Sequence, residues 1–239
     1  MADEKPLLDA FDLGFGYGRL RVWEHVNLTL YAGDIAFLIG PNGAGKTTLL
    51  KCLAGWITPK TGEATFLGER LSGRAQHLRR QIAFVADVPA FYDDLTAREH
   101  VDFVLKANRA DAARRAEAEE LLEAFGIAQS CDAYPSAFSR GMRQKLALVL
   151  GLMVHPKLLL MDEPTGPLDP EARELLGTLV KRAASEGTAV LMSCHHDLPG
   201  VEPNVVYELA VGTLREAGED EVALGAPVAP REPGERDVR

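Results

Sequence analysis

The sequence has little of three things: cysteine, net positive charge and long apolar runs. Its three cysteines, Cys52, Cys131 and Cys194, are scattered and form no CxxC pair. This pattern is typical of reduced, buried thiols and excludes a disulfide framework or a cysteine zinc site. The net charge of −9 without a block of lysine and arginine argues against nucleic acid as a partner, so we expect none.

The longest uninterrupted apolar run is LALVLGLMV, residues 146–154, which is about half the length needed to span a bilayer. It predicts a helix that is buried on all sides. The N-terminus MADEKPLLDA is acidic and lacks the basic-then-apolar order of a signal peptide. We therefore expect a cytoplasmic protein, and any membrane role requires another subunit. With 46% hydrophobic residues, the chain can form the core of one large α/β domain or of two small ones.

A glycine-rich loop between a predicted strand and a predicted helix is the strongest signal. The apolar run at residues 35–39 leads into GPNGAGKT, from Gly40 to Thr47, which matches the P-loop pattern GxxxxGK[ST]. The glycines let successive backbone N–H groups turn toward one point, where the following helix N-terminus also favours phosphate. Lys46 adds charge at the outer phosphates, and the Thr47 hydroxyl is placed to bind Mg²⁺.

A second signal comes from polar residues that directly follow apolar strands. The predicted strand at residues 157–161 ends in Asp162 and Glu163. Asp162 can reach Mg²⁺ through water, and Glu163 can polarise an attacking water, which is the second half of a nucleotide-hydrolase site. His195, after the strand at residues 188–193, and Asp87, after the strand at residues 82–86, are candidates for ligand groups at the same sheet edge.

Two sites have alternative interpretations. Tyr17 is either a core tyrosine or an exposed ring that stacks on an adenine. Ser139 and Gly141 precede the apolar run and form either an ordinary helix N-cap or a second anion site made of a hydroxyl and backbone N–H groups.

The predicted fold is α/β: a P-loop NTPase with a RecA-like parallel core sheet, an antiparallel β layer from residues 7–30, and an inserted helical subdomain. The subdomain covers about residues 94–154, with helices at residues 96–107 and 111–125, the first capped by Thr96 and Glu99. We expect one nucleotide-hydrolase domain over residues 1–213. The Gly- and Pro-rich end, residues 214–239, is predicted to be a flexible tail.

In this order the motifs resemble the ATPase domain of ABC transporters, over about residues 6–213. GPNGAGKTT resembles the Walker A loop, FSRGM the signature motif, LLLMDEP the Walker B strand, PLD the dimer-contact loop and SCH the switch histidine. The resemblance implies that ATP is bound by Tyr17, Gly40, Asn42, Gly43, Ala44, Gly45, Lys46, Thr47, Thr48, Ser139 and Gly141. It implies that Mg²⁺ is held by Thr47, Asp87 and Asp162, and that the catalytic residues are Glu163, His195 and Lys46.

The sequence departs from the family pattern at three places. Asp87 replaces a glutamine, so metal contact and signalling to a membrane partner can differ. The signature has Arg140 and Met142 where LSGGQ has glycine and glutamine. The switch histidine is His195 when counted from the strand and His196 when counted from the following HDL-like segment. We take His195, because its position follows directly from the end of the strand, which determines where its side chain can extend.

The resemblance implies a head-to-tail dimer in which Ser139 and Gly141 of one subunit close over the ATP of the other. It also implies an integral membrane subunit as partner and a location on the cytoplasmic face of the inner membrane. The tract PAFYDDLTAREHVDF resembles ATPases of exporters. The alternatives are a soluble ABC ATPase of translation or DNA maintenance and a regulatory nucleotide-binding module. The transported substrate, and whether the second ATPase is an identical copy, are left open.

Overall fold

The computed structural model describes residues 5–71, 75–194 and 198–217. Its elements in chain order are β1 (Leu8–Tyr17), β2 (Leu20–Leu30), β3 (Ile35–Ile39), α1 (Lys46–Leu53), β4 (Thr61–Phe66), β5 (Glu69–Arg70), α2 (Gln76–Arg79), β6 (Ile82–Val85), α3 (Ala97–Ala107), α4 (Ala112–Ala124), α5 (Arg140–Leu152), β7 (Leu158–Asp162), α6 (Pro170–Ser185), β8 (Ala189–Ser193), β9 (Val205–Ala210) and β10 (Thr213–Glu216). Two short 3₁₀ turns, Ala128–Ser130 and Pro135–Ala137, connect α4 to α5.

A six-stranded sheet in the order β10-β9-β3-β8-β7-β6 forms the centre of the fold. All of its neighbouring pairs are parallel except β9 and β10, which confirms the predicted parallel core. Strands β3, β7 and β8 are almost continuously apolar because both faces of the sheet are covered there. In β7, Leu159 and Met161 face one core cluster while Leu158 and Leu160 face the other. The carboxyl ends of the parallel strands therefore meet at one edge of the sheet.

A second sheet, in the order β2-β1-β4-β5, is antiparallel and confirms the predicted layer. Together with α1 it covers one face of the central sheet, where Trp23 and Leu49 belong to the same core cluster as Leu38. Helices α3, α4, α5 and α6 contribute to the cluster on the opposite face. The P-loop strand β3 thus lies between two packed layers, which fixes the position of the loop that follows it.

Helix boundaries follow their capping residues closely. Thr96 and Glu99 form the predicted reciprocal capping box before α3, with the Thr96 N–H donating to Glu99 Oε2 at 2.8 Å. Asp169 caps α6 by accepting from the Ala172 N–H at 2.8 Å, and Pro170 occupies the first helical position. Helices α3, α4 and α5 all lie between β6 and β7 along the chain.

Two expectations from the sequence need correction. Helix α5 is not buried on all sides, because Ala147 and Leu150 are partly exposed and line a surface groove. The expected tail from residue 214 begins too early: β10 (Thr213–Glu216) pairs antiparallel with β9, and Arg215 Nε lies 2.7 Å from Glu208 Oε2. The short, half-polar strand carries little apolar signal of its own, and the rest of the expected tail, residues 218–239, lies outside the described residues.

The three cysteines are free thiols and all are buried. Burial raises the pKa of Cys52 to about 12, as expected for a thiol that packs as a small apolar group. Within residues 5–71, 75–194 and 198–217, no helix is long and apolar enough to cross a membrane.

Candidate functional site

The P-loop joins β3 to α1 with a backbone that glycine alone fits at two positions. Gly40 has φ 144°, and a side chain there would place its Cβ 2.1 Å from the carbonyl oxygen of Leu209. Gly45, the residue before α1, has φ 99°, and its Cβ would lie 2.4 Å from Val22 Cγ1. At Gly43 a Cβ would meet no atom of the described residues within 4 Å, so they leave space at the middle of the loop. The loop therefore leaves room for a bound anion at the N-terminus of α1.

Lys46 is the first residue of α1 and is only 5% exposed. Its ammonium donates to the carbonyl oxygen of Gly40 at 2.7 Å and to that of Pro41 at 3.3 Å. Burial lowers the pKa of Lys46, whereas the nearby carboxylates of Glu163 and Asp162 raise it. The structure thus brings together the two strongest motifs of the sequence. The P-loop lysine and the acidic strand end are close enough for their charges to interact.

The acidic strand end is organised by a residue that the sequence did not identify, Ser193. Ser193 is fully buried at the end of β8, directly opposite Asp162 in the register of β7 and β8. Its hydroxyl donates to Asp162 Oδ1 at 2.7 Å and accepts from the Glu163 N–H at 3.0 Å. Glu163 has φ 46°, an uncommon conformation for a non-glycine residue. The polar end of the apolar run TAVLMS is the signal that could have identified Ser193.

The remaining nucleotide candidates lie on or beside the loop. Thr47 is exposed, and Thr48 is buried with its Oγ1 3.4 Å from the Tyr17 hydroxyl. Asn42 is exposed and Ala44 is partly buried. Tyr17 is 60% exposed, so the core-tyrosine interpretation is wrong and its ring is available for stacking.

Ser139 and Gly141 lie at the start of α5. Ser139 is the N-cap, its Oγ accepting from the Met142 N–H at 3.2 Å. Gly141 packs closely on the loop after β7, because a Cβ there would lie 2.9 Å from the Pro167 carbonyl oxygen. Ser139 is exposed and Gly141 partly exposed, so both can face another molecule.

The proposed metal ligands are hard oxygen donors, the type that Mg²⁺ prefers. In the part of the chain that the structure describes, no three His, Cys, Asp or Glu side chains cluster as a complete metal cage. A few protein oxygens, such as those of Thr47 and Asp162, fit Mg²⁺, which usually binds one or two protein groups together with phosphates and water.

Asp87, which follows β6, forms an ion pair with Arg140. Its Oδ1 accepts a hydrogen bond from Arg140 Nη2 at 3.0 Å. The two side chains are 38% and 65% exposed respectively. The predicted catalytic His195 lies outside the described residues, as does the alternative His196, so the register of the switch histidine stays a prediction.

The fold and the site together define a P-loop nucleotide hydrolase. A family model described as "ABC transporter" matches residues 23–166. The solved structure of an ATP binding subunit of an ABC transporter is 30% identical, with a TM-score of 0.84 over 92% of this chain and 95% of that chain.

The chain is also similar to the bacitracin transport ATP-binding protein BcrA of Bacillus licheniformis, with 32% identity over 210 residues, 88% of this chain and 67% of the relative. It is 36% identical to the sulfate/thiosulfate import ATP-binding protein CysA of Mycobacterium bovis over 182 residues, 76% of this chain and 52% of the relative. The chain belongs to the ABC transporter family and has the fold of its ATPase domain. The ligands of this ATPase class are ATP and Mg²⁺, and the loop and the carboxylates described above fit them. The chain spans about two thirds of the first relative and about half of the second.

Proposed function

We propose that this protein is the ATP-binding and ATP-hydrolysing subunit of an ABC exporter, and that it works as a head-to-tail dimer. The observation that carries the proposal is that the site is divided between two surfaces. The P-loop lysine Lys46 lies with Asp162 and Glu163, whereas Ser139 and Gly141 lie at the start of α5, Ser139 exposed and Gly141 partly exposed. A second subunit supplies Ser139 and Gly141 to the phosphates that the P-loop holds.

Hydrolysis then depends on orientation and electrostatics within the closed site. Glu163 orients the attacking water, and its backbone is held in place by Ser193. Lys46 neutralises charge on the transferring phosphoryl group, and the backbone N–H groups of the loop bind its oxygens. Thr47 and Asp162 would hold Mg²⁺, which would supply further charge neutralisation. Closure excludes bulk water, and the closed dimer is the state that ATP favours over ADP.

A groove of about 1020 Å³ supports the proposal of a separate membrane subunit. It lies between β6, α3 and α5, and its walls carry large apolar side chains that are unusually exposed. Trp56 and Tyr92 are each 60% exposed, Phe103 is 48% exposed and Val88 is 75% exposed. Exposed apolar patches of this kind mark interaction sites. We assign the groove to a short helical segment of an integral membrane subunit, which places the protein on the cytoplasmic face of the membrane.

The dimer is tested with Glu163→Gln, which keeps the side-chain shape and removes the carboxylate that orients water. ATP should bind without turnover, and the variant should form a stable dimer with ATP and Mg²⁺ but not with ADP. Size-exclusion chromatography with light scattering measures this directly. Monomers under all nucleotide conditions would contradict a dimer of identical subunits.

The membrane partner is tested with Trp56→Ala and Phe103→Ala in the groove. Both variants should retain nucleotide binding and lose co-purification with a polytopic membrane subunit. Export is tested in proteoliposomes with the ATPase on the outside, where added ATP should drive substrate into the lumen. Sedimentation of the wild-type protein with ribosomes or DNA instead of membranes would support the soluble ATPase alternative.

A further inference from the structure

Two residues that depart from the family motifs contact each other. Asp87 stands where the family has glutamine, and Arg140 stands at a glycine position of the LSGGQ signature. They are 53 residues apart in the chain, and Arg140 Nη2 donates to Asp87 Oδ1 at 3.0 Å. An amide at position 87 could also accept this bond, but only a carboxylate adds the opposite charge that makes it an ion pair.

Asp87 and Arg140 belong to different functional parts of the proposed ATPase. Asp87 follows β6 and lies between Ala86 and Val88, which both line the apolar groove. Arg140 is the first residue of α5 and lies between Ser139 and Gly141. The ion pair therefore connects the groove wall to the turn that carries the signature residues.

The first turns of α5 also contact the loop after β7. Gly141 packs against the carbonyl of Pro167, and Lys145 Nζ donates to Asp169 Oδ2 at 2.5 Å. The start of α5 therefore has polar contacts both to this loop and to Asp87. Removing the Asp87 contact takes away the one that comes from the end of β6.

We propose that Asp87 is a positioning residue that acts through Arg140, orienting the turn that meets the ATP of a second subunit, and that it does not act through Mg²⁺. This inference rests on the proposed function, because the turn has this role only in the closed dimer. Both side chains are partly exposed, so the loss of one pair should weaken ATP-dependent dimerisation by about 1.4- to 5-fold, the range for exposed ion pairs. A symmetric dimer contains two such pairs, so the loss of both should weaken dimerisation by about 2- to 25-fold.

The test is a double-mutant cycle of Asp87→Asn and Arg140→Ala, together with the exchanged pair Asp87→Arg/Arg140→Asp. Dimerisation is measured by sedimentation in the Glu163→Gln background, and turnover and its Mg²⁺ dependence are measured in the otherwise wild-type protein. Each single variant should weaken dimerisation, the double variant should be no worse than Arg140→Ala, and the exchanged pair should recover at least half of the loss. The Mg²⁺ concentration for half-maximal turnover should stay unchanged throughout.

A matched control is Asp132→Asn, which removes a carboxylate from the exposed pair of Asp132 with Arg98, at 2.8 Å, a pair that includes no residue of α5 or of the groove wall. It should leave dimerisation unchanged. The inference is overturned if Asp87→Asn has the same effect with and without Arg140, or if it raises the Mg²⁺ requirement. If the Glu163→Gln protein with native Asp87 and Arg140 does not dimerise with ATP, the proposed dimer itself is wrong. If it dimerises but the Asp87 and Arg140 variants do so equally well, only the role of the ion pair is wrong.

Discussion

Ser193→Ala tests how the acidic strand end is held in place. The substitution removes one oxygen from a fully buried site and leaves Asp162, which is 3% exposed, without its hydroxyl donor. A hydrogen bond to a charged group contributes about 1.5–3 kcal/mol. The Glu163 N–H also donates to the Ser193 carbonyl at 3.2 Å, so it keeps a partner and adds no further cost. We therefore expect the free energy of unfolding to fall by about 1.5–3 kcal/mol.

The measurement is urea denaturation, combined with an ATPase assay over a range of Mg²⁺ concentrations. Because Asp162 loses its fixed orientation, the Mg²⁺ concentration for half-maximal turnover should rise. Thr188→Val is the matched control: the buried Thr188 hydroxyl donates to the uncharged Pro156 carbonyl at 2.7 Å, away from the site. It should cost about 0.5–1.5 kcal/mol and leave the Mg²⁺ dependence unchanged.

The reasoning on Ser193 would be refuted by an unfolding free energy within about 0.5 kcal/mol of the wild-type value, which is the usual range for neutral substitutions. It would also be refuted if Ser193→Ala and Thr188→Val changed the Mg²⁺ dependence equally. In either case the hydroxyl would not be what positions Asp162.

Three further predictions test other contacts. Lys46→Ala should weaken ATP binding and abolish hydrolysis, since it removes the charge at the outer phosphates; retained turnover would show that this P-loop is not the active one. Gly45→Ala should destabilise the protein by more than about 1 kcal/mol, because it forces a Cβ at φ 99° against Val22, whereas Gly187→Ala, at φ 91° with no described residue within 4 Å, should cost less. Asp169→Ala should lower the unfolding free energy by about 1 kcal/mol through loss of the α6 N-cap, and Asp169→Asn by less, because asparagine also caps. The hydrogen bond from Lys145 lowers the pKa of Asp169 below its unfolded value, so its charge stabilises the fold above an unfolded pKa of about 3.9. That contribution should disappear as the pH falls through the folded pKa; an equal gap between wild type and Asp169→Asn at neutral and strongly acid pH would contradict it.

The sequence by itself determined the features that depend on neighbours within a few residues. The P-loop from Gly40 to Thr47, the capping box of Thr96 and Glu99, and the bounds of α6 were all predictable, because their hydrogen bonds and backbone angles are local. Alternating and continuous apolar runs also predicted the antiparallel layer and the parallel core, since burial on one face or two sets the period.

Only the tertiary structure decided which distant side chains meet. Asp162 and Ser193 are 31 residues apart and become neighbours because β7 and β8 pair in one particular register. Asp87 and Arg140 meet because α5 packs against β6, and neither residue carries a local sign of that packing. Hydrogen bonds and ion pairs act over a few ångströms, so a sequence can supply the chemical groups of a site while the packing of its elements determines which of them touch.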